Sequence, residues 1–156
     1  TIGKFIAFAK KQPWYQNTLI VIIADHGHSS PEHEGPFNSP KRFKIPMLWL
    51  GGALLKTGLE IDNFSSQVDF PFTLLNLLKA ENSEFKFSKN IFNKSDKQYV
   101  NYLFNKGFGT LTKNGAYVFD YISNKPILEE GNNIKTLDSL GKAISQNAFQ
   151  DFLDRK

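Results

Sequence analysis

All three histidines of the 156-residue chain, His26, His28 and His33, fall within eight consecutive positions, which a random scatter would seldom produce. They lie in a stretch of about 20 residues, Asp25 to Ile45, rich in His, Ser, Pro, Glu and Gly and poor in aliphatics. A loop that long inside a compact domain is usually functional or disordered. Its first three residues, Asp25-His26-Gly27, set a hard carboxylate oxygen beside a borderline imidazole nitrogen, a donor pair suited to Zn²⁺ or Mn²⁺. Consecutive side chains of a strand point to opposite faces, so only a turn lets both reach one ion, and Gly27 is expected to supply the backbone freedom for it. His33, between Glu32 and Glu34, is a candidate for a further ligand or for a hydrogen bond to a substrate oxygen. His28 reads as solvent-facing or as a support behind the ligands. Lys41 and Arg42 could lie against an anion. The same residue types also fit plainer roles: Asp25 as a turn cap, His26 as an ordinary loop histidine, His33 at the surface, and Lys41 and Arg42 as solvated charges.

The elements that must position these residues are legible on either side of the loop. Ile2, Phe5, Ile6 and Ala9 form the i, i+3, i+4, i+7 stripe of an amphipathic helix over Thr1–Lys11, ended by Pro13, with a turn at residues 14–17. The continuous apolar run Leu19–Ala24 predicts a strand buried on both faces of a largely parallel sheet, and Pro46–Leu50, halted by Gly51-Gly52, predicts a second. In open α/β sheets ligands bind beyond the carboxyl ends of strands, where Asp25 sits. Ser66 or Asp69 is placed to cap a helix with Pro71 in its first turn and Val68, Phe72, Leu75 and Leu78 on its apolar face. Lys79–Asp96 reads as a polar connector. Beyond it, short alternating runs at Tyr99–Phe104, Thr110–Thr112, Ala116–Tyr121 and Pro126–Glu129, punctuated by Gly and Asn, predict an antiparallel meander. Leu137, Leu140, Ile144, Ala148 and Phe152 predict a closing helix over Ile134–Leu153. These patterns describe an α/β chain with a soft boundary near residue 85, dividing an α/β part at 1–85 from a small sheet-plus-helix part at 86–156.

Composition narrows the functional classes. Forty per cent hydrophobic residues with 22% interspersed charges describe a folding domain rather than a disordered chain. The longest apolar run, Leu19–Ala24, is six residues, far below the ~20 needed to span a bilayer. No signal-peptide pattern is visible, because Lys4, Lys10 and Lys11 flank no long apolar segment. With no cysteine there is no disulfide framework, thiolate zinc site or thiol nucleophile. The net charge of +4 invites a nucleic-acid reading. The basic residues are scattered, however, and no RRM, KH or zinc-finger pattern accompanies them, so a nucleic-acid partner is not expected.

The ordered series Asn17–Gly27, preceded by Pro13-Trp14-Tyr15 and followed by Phe43–Leu48 and Ser66–Leu75, resembles the C-terminal half of the sulfatase family within the alkaline phosphatase superfamily. Inside that family the chain looks most like the bacterial membrane-anchored branch, the lipoteichoic acid synthase-like phosphoglycerol transferases. The resemblance implies the C-terminal part of an alkaline-phosphatase-like α/β/α sandwich, followed by a small antiparallel sheet and a closing helix. It also implies a divalent metal (Mn, Zn, Ca or Mg) and a sulfate or phosphate ester, such as a lipid or glycan head group, as substrate. Asp25 and His26 match the family's late pair of metal ligands, and His33 corresponds to the downstream histidine that members use on the substrate side.

The chain departs from the family in one respect. Family members place the nucleophile and the first metal ligands far upstream of this pair, whereas only 24 residues precede Asp25 here, filled by a helix and a strand. The resemblance therefore implies a C-terminal portion whose nucleophile, remaining ligands and membrane anchor lie upstream, acting outside the cytoplasm and inactive alone. Exposed sheet edges in such a piece would favour self-association. The alternative from another class is a non-catalytic interaction module that keeps the fold.

Overall fold

The stripe of Ile2, Phe5, Ile6 and Ala9 winds into a helix, α1 (Ile2–Ala9), and Pro13 opens a 3₁₀ turn, Pro13–Asn17, as the sequence predicts. The computed structural model describes residues 1–28, 35–94 and 98–155. The chain divides into two compact units, Thr1–Glu60 and Ile61–Lys156.

In the first unit the two apolar runs form β1 (Ile20–Ile23) and β2 (Met47–Leu50). They pair antiparallel, from Ile20 opposite Leu50 to Ile23 opposite Met47. This corrects the expectation of a largely parallel sheet. All four β1 residues are only half-buried, which also corrects the expectation of burial on both faces. A continuous apolar run records that a strand seeks apolar neighbours, but it does not encode the direction of the partner strand. A second 3₁₀ turn, Pro40–Phe43, interrupts the predicted long loop and carries Lys41 and Arg42 in its last turn.

In the second unit, α2 (Asp69–Leu77) starts with Asp69 and has Pro71 in its first turn. Asp69 is buried, and its carboxylate accepts the backbone N–H groups of Ser66 at 2.8 Å and Lys89 at 2.9 Å. Thr73, fully buried, donates its hydroxyl to the Asp69 carbonyl at 2.7 Å and accepts the Ile91 N–H at 2.9 Å. These bonds tie the predicted connector to α2. The division between the two compact units falls after Glu60, so α2 and this connector belong to one unit.

The meander forms as expected: β3 (Tyr99–Phe104), β4 (Gly107–Thr112), β5 (Gly115–Asp120) and β6 (Lys125–Gly131), antiparallel and in chain order. Strand β4 begins earlier than its predicted Thr110 because Gly109 pairs with Tyr102. A methyl group at Gly109 would lie 2.1 Å from the Tyr102 ring, so the glycine makes room for the cross-strand aromatic. Helix α3 (Ile134–Asp154) closes on this sheet. Phe108, Tyr117, Phe119 and Leu137 form the core between them, with Ile134 packed alongside. Gly141 permits the close approach, since a Cβ there would meet the Phe108 ring at 2.1 Å.

Candidate metal centre

Asp25 and His26 follow the carboxyl end of β1, where the chain leaves the sheet. The Asp25 side chain folds back on its own turn, its Oδ1 accepting the His26 backbone N–H at 2.9 Å. The imidazole Nδ1 lies 2.8 Å from the Gly27 carbonyl oxygen. A carbonyl can only accept, so Nδ1 carries a proton and Nε2 is the ring nitrogen left to face outward. That nitrogen lies 3.6 Å from Asp25 Oδ2.

Whenever the ring is neutral, a nitrogen lone pair and a carboxylate oxygen face one another across this gap. Two ligands each about 2.1 Å from a tetrahedral ion stand roughly 3.4 Å apart, so the pair fits two positions of a metal's coordination shell. A backbone carbonyl holding the second ring nitrogen is also how metal-ligating histidines are oriented. The side chains are 73% and 88% exposed for His26 and Asp25, so water screens their interaction. Among the described residues no group of three or more His, Cys, Asp or Glu side chains forms around them.

Gly27 has a different role from the one its sequence suggests. Its φ lies outside the left-handed region, so backbone freedom is not the reason for glycine. A Cβ at Gly27 would instead lie 1.8 Å from the Arg42 carbonyl oxygen. The Asp25–Gly27 turn and the 3₁₀ turn Pro40–Phe43 are therefore packed backbone to backbone. Sequence reasoning missed this contact, for which a lone glycine fifteen positions from Arg42 carries no local signal.

Of the remaining candidates, His28 is exposed and does not complete a three-donor group with Asp25 and His26 among the described residues. Lys41 is exposed and Arg42 half-buried, both on the segment seated against Gly27. His33, with Glu32 and Glu34, lies outside the described residues.

A carboxylate and an imidazole thus stand side by side just beyond the carboxyl end of β1. A family profile described as Sulfatase matches residues 1–80, from α1 through α2. The chain belongs to the sulfatase family. Its fold is also similar to the crystal structure of a protein in the alkaline phosphatase superfamily from Vibrio parahaemolyticus, with a TM-score of 0.71 and 22% identity. That match covers 96% of this chain and 39% of the other, so the chain spans well under half the length of its structural neighbour. At that identity the likeness establishes the fold alone, a mixed α/β arrangement with two antiparallel sheets and a closing helix. No curated protein matches the chain.

Proposed function

We propose that this chain is the C-terminal portion of a metal-dependent enzyme that cleaves or transfers sulfate or phosphate esters, and that Asp25 and His26 supply its late metal ligands. The observation that carries this reading is the placement of His26 Nε2 3.6 Å from Asp25 Oδ2 just beyond the end of β1. The family match over residues 1–80 and the 39% coverage of the structural neighbour support it. When bound, a divalent cation (Mn, Zn, Ca or Mg) supplies activation of a nucleophile and neutralises charge on the transferring group. The chain's own contribution is to hold Asp25 and His26 at the strand end, with Gly27 O fixing the imidazole tautomer. His33, Lys41 and Arg42 bind the anionic ester, and His28 stands behind the ligands. Within the family the motif series favours the lipoteichoic acid synthase-like phosphoglycerol transferases. Nucleophile and membrane anchor belong to the preceding part of the polypeptide, placing the reaction outside the cytoplasm. No helix among the described residues is long and apolar enough to cross a membrane. Ile2, Phe5 and Phe8, exposed on α1, give the isolated piece a surface for the upstream remainder or for self-association.

The test is calorimetric titration of the chain with Mn²⁺ and Zn²⁺, alongside aryl sulfate and aryl phosphate assays. Weak metal binding lost in Asp25→Asn and His26→Gln, with no turnover, is expected. Equal affinity in all three proteins would sink the metal assignment. Hydrolysis by the pure chain, abolished in Asp25→Ala, would sink the assignment of the nucleophile to another segment.

A further inference from the structure

The four-stranded sheet of the Ile61–Lys156 unit has β3 at one edge and β6 at the other, and the two edges differ in kind. Strand β6 carries Lys125, Pro126, Glu129 and Glu130, the charges and proline that blunt an edge against further pairing. Strand β3 has neither charge nor proline between Tyr99 and Phe104. Its open side follows from the β3–β4 hairpin. Phe104 and Gly107 close a two-residue loop, so Phe104, Tyr102 and Val100 bond to β4, while Tyr99, Asn101 and Leu103 turn their N–H and C=O groups outward. The outward Tyr99 carbonyl accepts Lys89 Nζ at 2.8 Å, which agrees with this phase. Among the described residues no backbone group pairs with the outward N–H and C=O of Asn101 and Leu103. On the α3 face of the same edge lies an apolar groove of about 360 Å³, lined by Leu103, Ala148, Phe149 and Phe152. A second hollow, of about 400 Å³, continues along β3 toward residues 86–89 and shares Leu103 and Ala148 with the first.

We propose that β3 pairs antiparallel with the β3 of a second copy of this chain, joining the two four-stranded sheets into one. With the two-fold axis at Tyr102, Asn101 of each copy stands opposite Leu103 of the other, and every outward N–H of these residues meets an outward C=O. The two Leu103 side chains then lie diagonally across the axis on the α3 face, which brings the two apolar grooves together. An antiparallel edge free of charge is complementary to itself, which is what a second copy requires. The neighbouring charges do not oppose the approach: Asp151, between Phe149 and Phe152, holds Arg155 at 2.7 Å and Lys86 at 3.8 Å. Leu103, Phe149 and Phe152 are 51%, 57% and 60% exposed. Together they offer roughly 350 Å² of apolar surface per copy. A stable interface covers about 800 Å² per partner, so this dimer is a reversible one that dissociates in the micromolar range. The pairing is independent of Asp25 and His26 and does not rest on their assignment.

The experiment is sedimentation velocity of the chain from about 1 to 300 µM, with amide hydrogen exchange at both ends of the series. The expected result is a monomer when dilute and a closed dimer when concentrated. The Asn101 and Leu103 amides should gain protection only in the dimer, whereas Val100 and Tyr102, bonded to β4, are protected throughout. Leu103→Lys sets two like charges beside the axis and should raise the dissociation constant about tenfold or more. Phe149→Lys, on the exposed face of α3, should act in the same direction and carries the test if Leu103→Lys fails to fold. Ile127→Lys, 43% exposed on the opposite edge, and Phe5→Lys, on α1, should leave dimerisation unchanged. A monomer at every concentration would overturn the proposal and leave this edge to a different partner. Asn101 and Leu103 amides already protected in the dilute monomer would overturn it too, because the same chain would then cover the edge. Loss of the dimer in Phe5→Lys would move the interface to α1, and open-ended growth would contradict a two-fold pairing.

Discussion

Replacing Gly27 by alanine tests whether the Asp25–Gly27 turn and the Pro40–Phe43 segment are locked together. The new Cβ would lie 1.8 Å from the Arg42 carbonyl oxygen and 2.9 Å from its carbon. Ordinary contact begins near 3.4 Å, so the two backbones must separate by roughly 1.5 Å. The obstacle is main chain, which cannot swing aside as the end of a long side chain can. Insertions of this kind into packed sites cost about 1–3 kcal/mol. For a chain of this length each kcal/mol lowers the melting temperature by about 2–4 °C, which gives a drop of roughly 6 °C at mid-range. Because Gly27 φ lies outside the left-handed region, conformational strain contributes nothing and the effect is steric. Scanning calorimetry provides the measurement. Gly3→Ala is the matched control: it lies in α1 with nothing within 4 Å of its Cβ, so it should be neutral or slightly stabilising. Metal titration should show weaker binding in Gly27→Ala, since Gly27 O also holds the His26 ring. A Gly27→Ala protein that melts with the wild type would refute the backbone lock.

Thr73→Val keeps the shape of a fully buried side chain but leaves the Ile91 N–H without its acceptor. It should cost about 1–3 kcal/mol by urea denaturation, and a loss below about 0.5 kcal/mol would mean that this hydroxyl does not hold the 89–91 segment to α2. Acid should also act through α3. The Asp151 carboxyl is held below its ordinary value chiefly by the Arg155 side-chain hydrogen bond at 2.7 Å, with burial partly opposing and the charges of Arg155 and Lys86 assisting. A depressed carboxyl stabilises the fold above its unfolded value and loses that contribution as pH falls through the folded one. The melting temperature should therefore fall more steeply below about pH 4 in the wild type than in Asp151→Asn, and parallel curves would count against the pair.

How much was legible in the sequence varied with the range of the interaction. The meander and α3 follow from patterns repeated every few residues: alternation with Gly and Asn punctuation, and the Leu137–Phe152 stripe. Gly109 belonged to that pattern in disguise, since it looks like a turn residue until Tyr102 is placed opposite it. The clustering of histidines drew attention to the strand end, and residue chemistry alone named Asp25 and His26 as a donor pair. What residue types could not convey was geometry: the tautomer set by Gly27 O and the 3.6 Å separation exist only once the turn has closed.

The sequence by itself determined which segments become helix or strand and where two metal donors could stand together, because those properties arise from neighbours a few bonds apart. Only the tertiary structure decided that β1 and β2 run antiparallel, that Asp69 and Thr73 capture residues 89–91, and that Gly27 is a contact with Arg42. Each of these joins groups more than a dozen residues apart. Such partners are selected by the packing of the whole fold, and no local preference records them.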